Sequence, residues 1–292
     1  MTQKIAVALI HGIGKQKANY ADQISYDLKK LAEIEIQSIQ HSNPAAEFVI
    51  EPVYWAPVIQ KSEDKLWENL KKGGDMDFKQ LRRLMIDFAG DAIAYQQMGN
   101  DRSVYDGIHR IIAKTIRKLS KHAGESAPLC IIAHGLGSVI ASNYIYDIQN
   151  DRPEKPLLSD FVKQDISDLP IEQCQTLCGF FTLGSPLPLW GLRYKNFGIP
   201  IKLTNDKLSE HYPSIEPQWW NYYDKDDIIG YPLKSINKDY NKAVNFDFEV
   251  NVGTIMTSWN PGSHAGYWND ADVINPIARY LGELWKKVNK YS

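Results

Sequence analysis

Residues 129–142 read LCIIAHGLGSVIAS, and this stretch determines the fold class that the sequence predicts. The apolar run up to Ala133 is typical of a parallel strand that is covered on both faces. His134 to Gly137 then places two glycines around a bend that bulky side chains would block. Apolar residues recur near helical spacing from there to Ile145. The stretch therefore predicts a buried strand, a tight turn and a helix.

Size and composition favour one large domain. With 292 residues, 43% of them hydrophobic and 11% aromatic, the chain can bury a sizeable core. We expect a single α/β domain over residues 1–292. Lys and Arg number 33 against 35 Asp and Glu, a formal charge of −2, so the composition offers no general attraction to nucleic acid.

The cysteines and the N-terminus indicate a cellular compartment. Cys130, Cys174 and Cys178 are an odd number in a long chain, which fits a reducing environment better than a disulfide framework. A strand-like run begins by Ile5, without the basic and long apolar segments of a signal peptide. No apolar run approaches the length that spans a bilayer. These features predict a cytoplasmic protein with no integral membrane segment.

A second strand and glycine turn lie near the N-terminus. The apolar run 4–10 ends in His11-Gly12-Ile13-Gly14, and residues 19–40 follow as a helical pattern. The turn is placed like a phosphate loop, but Leu9 and Gln16 stand where that motif needs glycine and Ser or Thr. We therefore expect no nucleotide cofactor here.

Residues 58–97 form a candidate insertion. They follow a strand-like run at 48–55 and are largely helical in pattern, with a break at Gly73-Gly74. We interpret this segment as a helical cap, and we expect its apolar stripe to pack in a core more readily than to bind an acyl chain. The stripe consists of Leu81, Leu84, Met85, Phe88 and Ile93.

The second half of the chain adds three more strand-like runs before a final helix. The first, 177–183, ends in a Gly-Ser-Pro turn that contains Ser185, and an irregular segment at 187–213 follows. The second, 219–223, runs into an acidic stretch. The third, 246–252, alternates apolar and polar residues like an edge strand or a hairpin arm. A glycine-flanked loop around residue 264 then precedes a helix at 273–287.

These motifs, in this order, resemble the α/β-hydrolases of the serine esterase or lipase type. Ala133-His134-Gly135-Leu136-Gly137 is similar to the nucleophile elbow G-x-S-x-G, in which alanine often replaces the first glycine. Residues 227–231 resemble the D-P-V-A-Y stretch of DDHD-type phospholipase A1-like hydrolases. The resemblance implies an α/β-hydrolase fold, with a mostly parallel sheet, helices on both faces and an inserted cap.

The resemblance also implies roles for individual residues. The turn after the first strand and the elbow would supply an oxyanion hole from the amides of Ile13 and Leu136. Asp227 is the preferred triad acid, ahead of Asp226 and Asp224, and His264 in its H-x-x-Y-W context is the triad base. The implied substrate is a small acyl ester or a lipid-like molecule, with no cofactor and no metal.

Gly135 departs from the pattern because it stands where the serine nucleophile is expected. Loss of a triad nucleophile costs on the order of 10⁶ in turnover, so the chain as written predicts a nearly inactive esterase. We favour an engineered Ser→Gly replacement, and the alternative is a natural glycine in a protein that binds a ligand or partner without covalent chemistry. Ser185 is a weaker candidate nucleophile, since a turn residue before proline is normally structural.

A metal-dependent site is the remaining alternative. It would combine His264 with Asp224, Asp226 and Asp227. The acidic loop lacks the regular D-x-D-x-D-G pattern of a calcium-binding loop, which disfavours this interpretation.

Overall fold

The computed structural model describes residues 2–14, 16–39, 43–96, 101–203, 206–252 and 263–291. The strands are β1 Ile5–Ile10, β2 Phe48–Val53, β3 Leu129–His134, β4 Leu177–Leu183, β5 Gln218–Tyr223 and β6 Phe246–Glu249. The α-helices are α1 Asp22–Ile36, α2 Pro57–Gly73, α3 Lys79–Met85, α4 Asp91–Ala94, α5 Ser103–Ala123, α6 Leu136–Asn150, α7 Asp160–Lys163, α8 Leu187–Gly191, α9 Asp206–His211, α10 Lys238–Ala243 and α11 Ala271–Val288. Short 3₁₀ helices span Pro44–Glu47, Lys195–Phe197 and Ser263–Asn269, and a π-helical turn spans Ile86–Gly90.

The six described strands form one sheet in the order β2-β1-β3-β4-β5-β6, and every neighbouring pair is parallel. β1, β3 and β4 are buried along their whole length, as expected for inner strands covered on both faces. The predicted α/β class with a parallel sheet flanked by helices is confirmed. The hairpin alternative for residues 246–252 is wrong, because β6 runs parallel to β5 as the edge strand and ends at Glu249.

Two hydrophobic cores lie on opposite faces of this sheet. Alternate residues of β1 enter each of them, since successive side chains of a strand point to opposite faces. Helices α1 and α11 cover one face with a stripe that includes Leu28 and Leu281. Helices α5 and α6 cover the other face with a stripe that includes Ile112 and Ile140.

The strand order reverses between β1 and β3. β2 lies on one side of β1, whereas β3, β4, β5 and β6 follow one another on its other side. In open α/β sheets the crevice at the carboxyl ends of such strands is the usual ligand-binding position. The turn at His11 and the turn at Gly135 follow these two strands, so both lie at the reversal point.

The insertion is helical, but its apolar stripe is not buried as we expected. Leu81, Met85 and Ile93 are 57%, 53% and 59% exposed, so the prediction of core packing is wrong for these three residues. The side chains of Leu84 and Phe88 lie outside the described part of the structure. An amphipathic pattern fixes which residues share a face, and it does not fix what covers that face.

Of the helices described, none combines the length and apolar character that crossing a membrane requires.

Candidate active site

The turn between β3 and α6 holds Gly135 in a backbone conformation that suits glycine. Its φ is 51° and its ψ is −127°, in the left-handed half of the map that side chains disfavour by roughly 1–2 kcal/mol. Its amide donates to the carbonyl of Leu183 on β4 at 2.9 Å, which fixes the bend to the sheet. Two residues further on, a side chain at Gly137 would collide with the carbonyl oxygen of His11. The glycines of the motif therefore allow β1, β3 and α6 to approach closely.

His264 and Asp227 form a buried hydrogen-bonded pair at the carboxyl edge of the sheet. His264 Nδ1 lies 2.9 Å from Asp227 Oδ2, and the two residues are only 5% and 4% exposed. Because a carboxylate only accepts, this contact implies that Nδ1 carries the proton and leaves Nε2 as an acceptor. Burial alone would raise the pKa of Asp227, but hydrogen bonds from His264, the Ile229 amide and Tyr267 together hold it below its ordinary value.

Gly135 faces the free nitrogen of this histidine. An ideal Cβ built on Gly135 lies 2.6 Å from His264 Nε2, and that nitrogen is buried without a hydrogen-bond partner among the described residues. A real Cβ would need the imidazole to retreat by several tenths of an ångström, which the end of a side chain can do. The arrangement therefore brings together the three residues that sequence analysis singled out as nucleophile position, base and acid.

Neither of the other two acidic candidates has a described hydrogen bond to the histidine. Asp224 is buried, and its two carboxylate oxygens accept from the amides of Asp226 at 2.8 Å and Val252 at 2.7 Å. The Asp226 side chain is exposed. Asp227 is the member of the three with a described hydrogen bond to His264. In the part of the chain that the structure describes, no group of three or more His, Cys, Asp or Glu is arranged to hold a metal ion.

Two residues that sequence analysis did not assign hold the pair in place. The Tyr267 hydroxyl donates to Asp227 Oδ2 at 3.0 Å and accepts from the Asp224 amide at 2.8 Å. His134 Nε2 lies 2.5 Å from the carbonyl oxygen of His264, and burial lowers the pKa of His134 to about 3, so it is a neutral donor. Tyr267 was visible as the tyrosine of H-x-x-Y-W. Nothing local in the sequence indicated the contact of His134, which joins residues 130 positions apart.

The glycine turn after β1 lies beside the elbow. The Cβ built on Gly135 is 3.5 Å from Gly12 Cα, and a Cβ at Gly12 would come within 2.8 Å of His134 Nδ1. Leu136 is the first residue of α6, so its amide has no acceptor inside the helix. The amide of Ile13 follows directly after Gly12. The two proposed oxyanion donors thus belong to segments that meet at Gly135.

His11 anchors this turn and has no free nitrogen for chemistry. Its Nδ1 lies 2.8 Å from the carbonyl of Gly12, and its Nε2 accepts from the amide of Trp55 at 3.2 Å. Its ring also stacks on the indole of Trp55 at 4.6 Å between centroids. Burial lowers the pKa of His11 to about 4, which keeps it neutral at physiological pH.

The insertion contributes two buried carboxyl groups to the same turn. Asp91 Oδ2 accepts from the amide of Gly14 at 3.0 Å, and the buried carboxyl group of Glu63 on α2 lies close enough to Asp91 for their charges to interact. Burial raises the pKa of Asp91 to about 6, and burial together with the neighbouring carboxylates Asp91 and Asp87 raises that of Glu63 to about 8. Both carboxyl groups therefore take up a proton more readily than exposed acids do, and the hydrogen bond of Asp91 joins the insertion to the glycine turn.

Ser185 does not face the histidine. Its Oγ lies 2.7 Å from Ser138 Oγ and accepts from the Leu187 amide at 3.3 Å. The Ser138 hydroxyl in turn donates to the carbonyl of Gly135 at 2.6 Å. Both serines are fully buried, and their hydrogen bonds stabilise the turn at Gly135 from inside the protein.

Comparison of the chain with protein-family models, with curated proteins and with solved structures finds no significant match. The function must therefore be inferred from the geometry of the site.

Proposed function

We propose that this chain has the α/β-hydrolase fold and carries an acyl-ester site of the serine esterase or lipase type, in which Gly135 replaces the nucleophile. One observation carries the proposal. A Cβ at residue 135 lies against Nε2 of His264, which has no hydrogen-bond partner among the described residues and whose other nitrogen is hydrogen-bonded to the buried Asp227. The position of the two turns at the reversal point of the sheet adds support.

The chemistry follows from these positions. A serine hydroxyl at 135 would give its proton to His264 Nε2 while its oxygen attacks the ester carbonyl. The Ile13 and Leu136 amides would stabilise the oxyanion, and Asp227 would stabilise the imidazolium that forms. His264 would then return the proton to the leaving alcohol. Gly135 lacks the attacking atom, so the chain as written binds an acyl ester and turns it over very slowly.

Gly135→Ser tests this function directly. We expect hydrolysis of p-nitrophenyl butyrate and p-nitrophenyl decanoate to rise by several orders of magnitude, up to ~10⁶. Adding His264→Ala should abolish the gain, because the new hydroxyl then has no base. Ser185→Ala in the same background tests the weaker candidate nucleophile and should keep most of the gain, since Ser185 supports the elbow through Ser138 and has no described contact with His264. A Gly135→Ser protein that folds and stays as slow as the parent on both esters would refute the proposal.

A second candidate function is binding without covalent chemistry. The 2.6 Å separation between the Cβ position and His264 Nε2 favours it, because the imidazole occupies part of the space that a serine side chain needs. In that case acyl esters should raise the melting temperature of the Gly135 protein. Gly135→Ser should bind no better and should show no hydrolysis. The first candidate predicts hydrolysis in the serine variant, so one pair of assays separates the two.

A further inference from the structure

A cation-lined cavity lies near the far end of α6. Its volume is about 470 Å³, and Arg152, Lys202 and Lys207 line it together with amide side chains such as Gln149 and Gln173. None of its described lining residues is an aspartate or a glutamate. Lys207 also pairs with Glu210 at 2.9 Å, which leaves Arg152 and Lys202 as the main source of positive charge. Such a lining favours an anionic group with several acceptor oxygens.

An apolar cavity adjoins it. This second cavity has a volume of about 220 Å³ and shares Tyr146 and Ile199 with the first. Its walls are mostly aromatic and aliphatic, and they include Trp190 and Phe197. The indole nitrogen of Trp190 is buried without a hydrogen-bond partner among the described residues, so a ligand oxygen that reached it would gain a hydrogen bond.

A segment that lines the apolar cavity has an unusual backbone conformation. Asn196, Phe197 and Gly198 all have positive φ, at 54°, 63° and 83°. The Asn237 side chain holds them by donating to the carbonyls of Asn196 at 2.8 Å and Gly198 at 3.1 Å. Two consecutive non-glycine residues in this region cost stability, so the segment is held in its shape by its surroundings.

The cationic cavity is distant from the proposed ester site, and the apolar cavity extends from the cationic one along α6 as far as Ser142. Gly135 precedes the first residue of α6, whereas the cationic cavity is lined by Ile148 to Asn150 at its end. At 1.5 Å per residue, the two ends of this helix are about 20 Å apart. The negative end of the α6 dipole lies near the cationic cavity, and it amounts to only about half a charge against the cationic side chains.

We propose that the two adjoining cavities form a binding site for a single-chain anionic amphiphile, with the anionic head between Arg152 and Lys202 and the apolar chain against Trp190 and Phe197. The site binds this ligand as a free molecule and takes no part in the ester chemistry. Ile199 lines both cavities and is 64% exposed, so it extends the apolar surface that the chain can cover.

Titration of the full chain with octyl phosphate tests the site. We expect saturable binding by calorimetry and a rise in melting temperature, because the ligand stabilises the folded state. Octyl glucoside and inorganic phosphate should each bind at least about tenfold more weakly, since each lacks one of the two matching parts. Equal binding of octyl phosphate and octyl glucoside would overturn the proposal.

Two variants locate the binding. Ile199→Asp puts a carboxylate on the shared wall and should weaken octyl phosphate binding by more than tenfold, and Lys202→Gln should weaken it by about tenfold, the order of one charge-assisted contact. Both positions are exposed, so folding is retained. Lys114→Gln, an exposed lysine on α5, is the matched control and should bind like the parent. Unchanged binding in both cavity variants would refute the site.

A vesicle experiment distinguishes the source of the ligand. Phosphatidylcholine vesicles with and without phosphatidylglycerol present the same anionic and apolar chemistry as a surface. We expect weak co-sedimentation with both, because the ligand must enter the cavities as a single molecule. Strong binding to anionic vesicles with no binding of monomeric octyl phosphate would overturn the proposal in favour of a membrane-docking surface.

Discussion

Two buried clusters in this molecule combine a histidine, an aspartate and a tyrosine, yet they are arranged very differently. The edge cluster consists of Asp227, His264 and Tyr267 at the carboxyl ends of the strands. The core cluster consists of Tyr105, His109 and Asp147 between α5 and α6. In the edge cluster the histidine and the aspartate are hydrogen-bonded at 2.9 Å, and Nε2 has no described partner.

In the core cluster the same residue types form a different set of hydrogen bonds. His109 Nε2 lies 2.9 Å from the hydroxyl of Tyr95, and Nδ1 is 3.7 Å from Asp147 Oδ2, too far for a hydrogen bond. Tyr105 donates to Asp147 at 2.7 Å. Burial lowers the pKa of His109 to about 3 and raises that of Asp147 to about 7, so both groups favour their neutral forms.

The difference teaches that burial and composition do not make a catalytic pair. What distinguishes the edge cluster is a carboxylate that three donors hold in its ionised form, hydrogen-bonded to a histidine whose Nε2 lies beside the Gly135 turn at the sheet edge. In the core cluster His109 Nε2 is used by Tyr95, and burial outweighs both the Tyr105 hydrogen bond and the charge of Arg102 in setting the pKa of Asp147. The predictions that follow test this contrast by making equivalent changes in both clusters.

The largest contrast is expected for the two aspartates. In the Gly135→Ser background, Asp227→Asn should lower kcat by about 10⁴, because an amide in place of the carboxylate permits the wrong imidazole tautomer and cannot stabilise the imidazolium. Asp147→Asn should leave kcat within a factor of about three. Steady-state hydrolysis of p-nitrophenyl butyrate measures both. Comparable losses in the two variants would show that the edge cluster has no special role.

The second contrast concerns stability against pH. Between about pH 4 and pH 7 the Asp147 carboxyl is ionised in the unfolded chain and protonated in the folded one, so the folded state binds more protons. Unfolding free energy should therefore fall as pH rises through this range, and Asp147→Asn should remove about 3 kcal/mol of that fall. Urea unfolding at pH 4.5 and pH 7.5 measures the difference.

Asp227 should act in the opposite direction. Its pKa is lowered in the folded state, so its contribution is present above the unfolded value near 4 and is lost as pH falls further. Asp227→Asn should therefore flatten the acid side of the stability profile and leave the region from pH 5 to pH 8 unchanged. If both asparagine variants changed the pH dependence of the unfolding free energy in the same way, the opposite pKa shifts of Asp147 and Asp227 would be contradicted.

Much of the fold could be predicted from local sequence. β3 and β4 were identified as long apolar runs because inner parallel strands are buried on both faces. The direction of β6 could not be predicted, since alternation of apolar and polar residues occurs in parallel and antiparallel edge strands alike. The exposure of Leu81 and Met85 was also missed, because the partner of an amphipathic face lies elsewhere in the chain.

The candidate site likewise contains residues that local motifs identify and residues that only distant contacts bring in. Gly135, Asp227 and His264, which the structure brings together, stand out in the sequence because each lies in a short motif at the end of a strand or in a loop. Asp91 was missed, since its hydrogen bond reaches Gly14 across 77 residues and its own neighbourhood carries no motif. The core cluster illustrates the converse limit, because a sequence contains histidines and aspartates that meet in the core without any chemistry to perform.

The smallest contrast is expected for the two tyrosines. In the Gly135→Ser background, Tyr267→Phe removes a donor to Asp227 and should lower kcat by about tenfold. Because the carboxylate loses a competing donor, Asp227 should attract the protonated imidazole more strongly, and the acidic limb of the kcat/KM profile should move to higher pH. Tyr105→Phe removes the equivalent donor to Asp147 and should cost similar stability with no change in the profile. If both variants lose activity equally and neither shifts the acidic limb of the kcat/KM profile, Tyr267 acts only through stability and does not position Asp227 and His264.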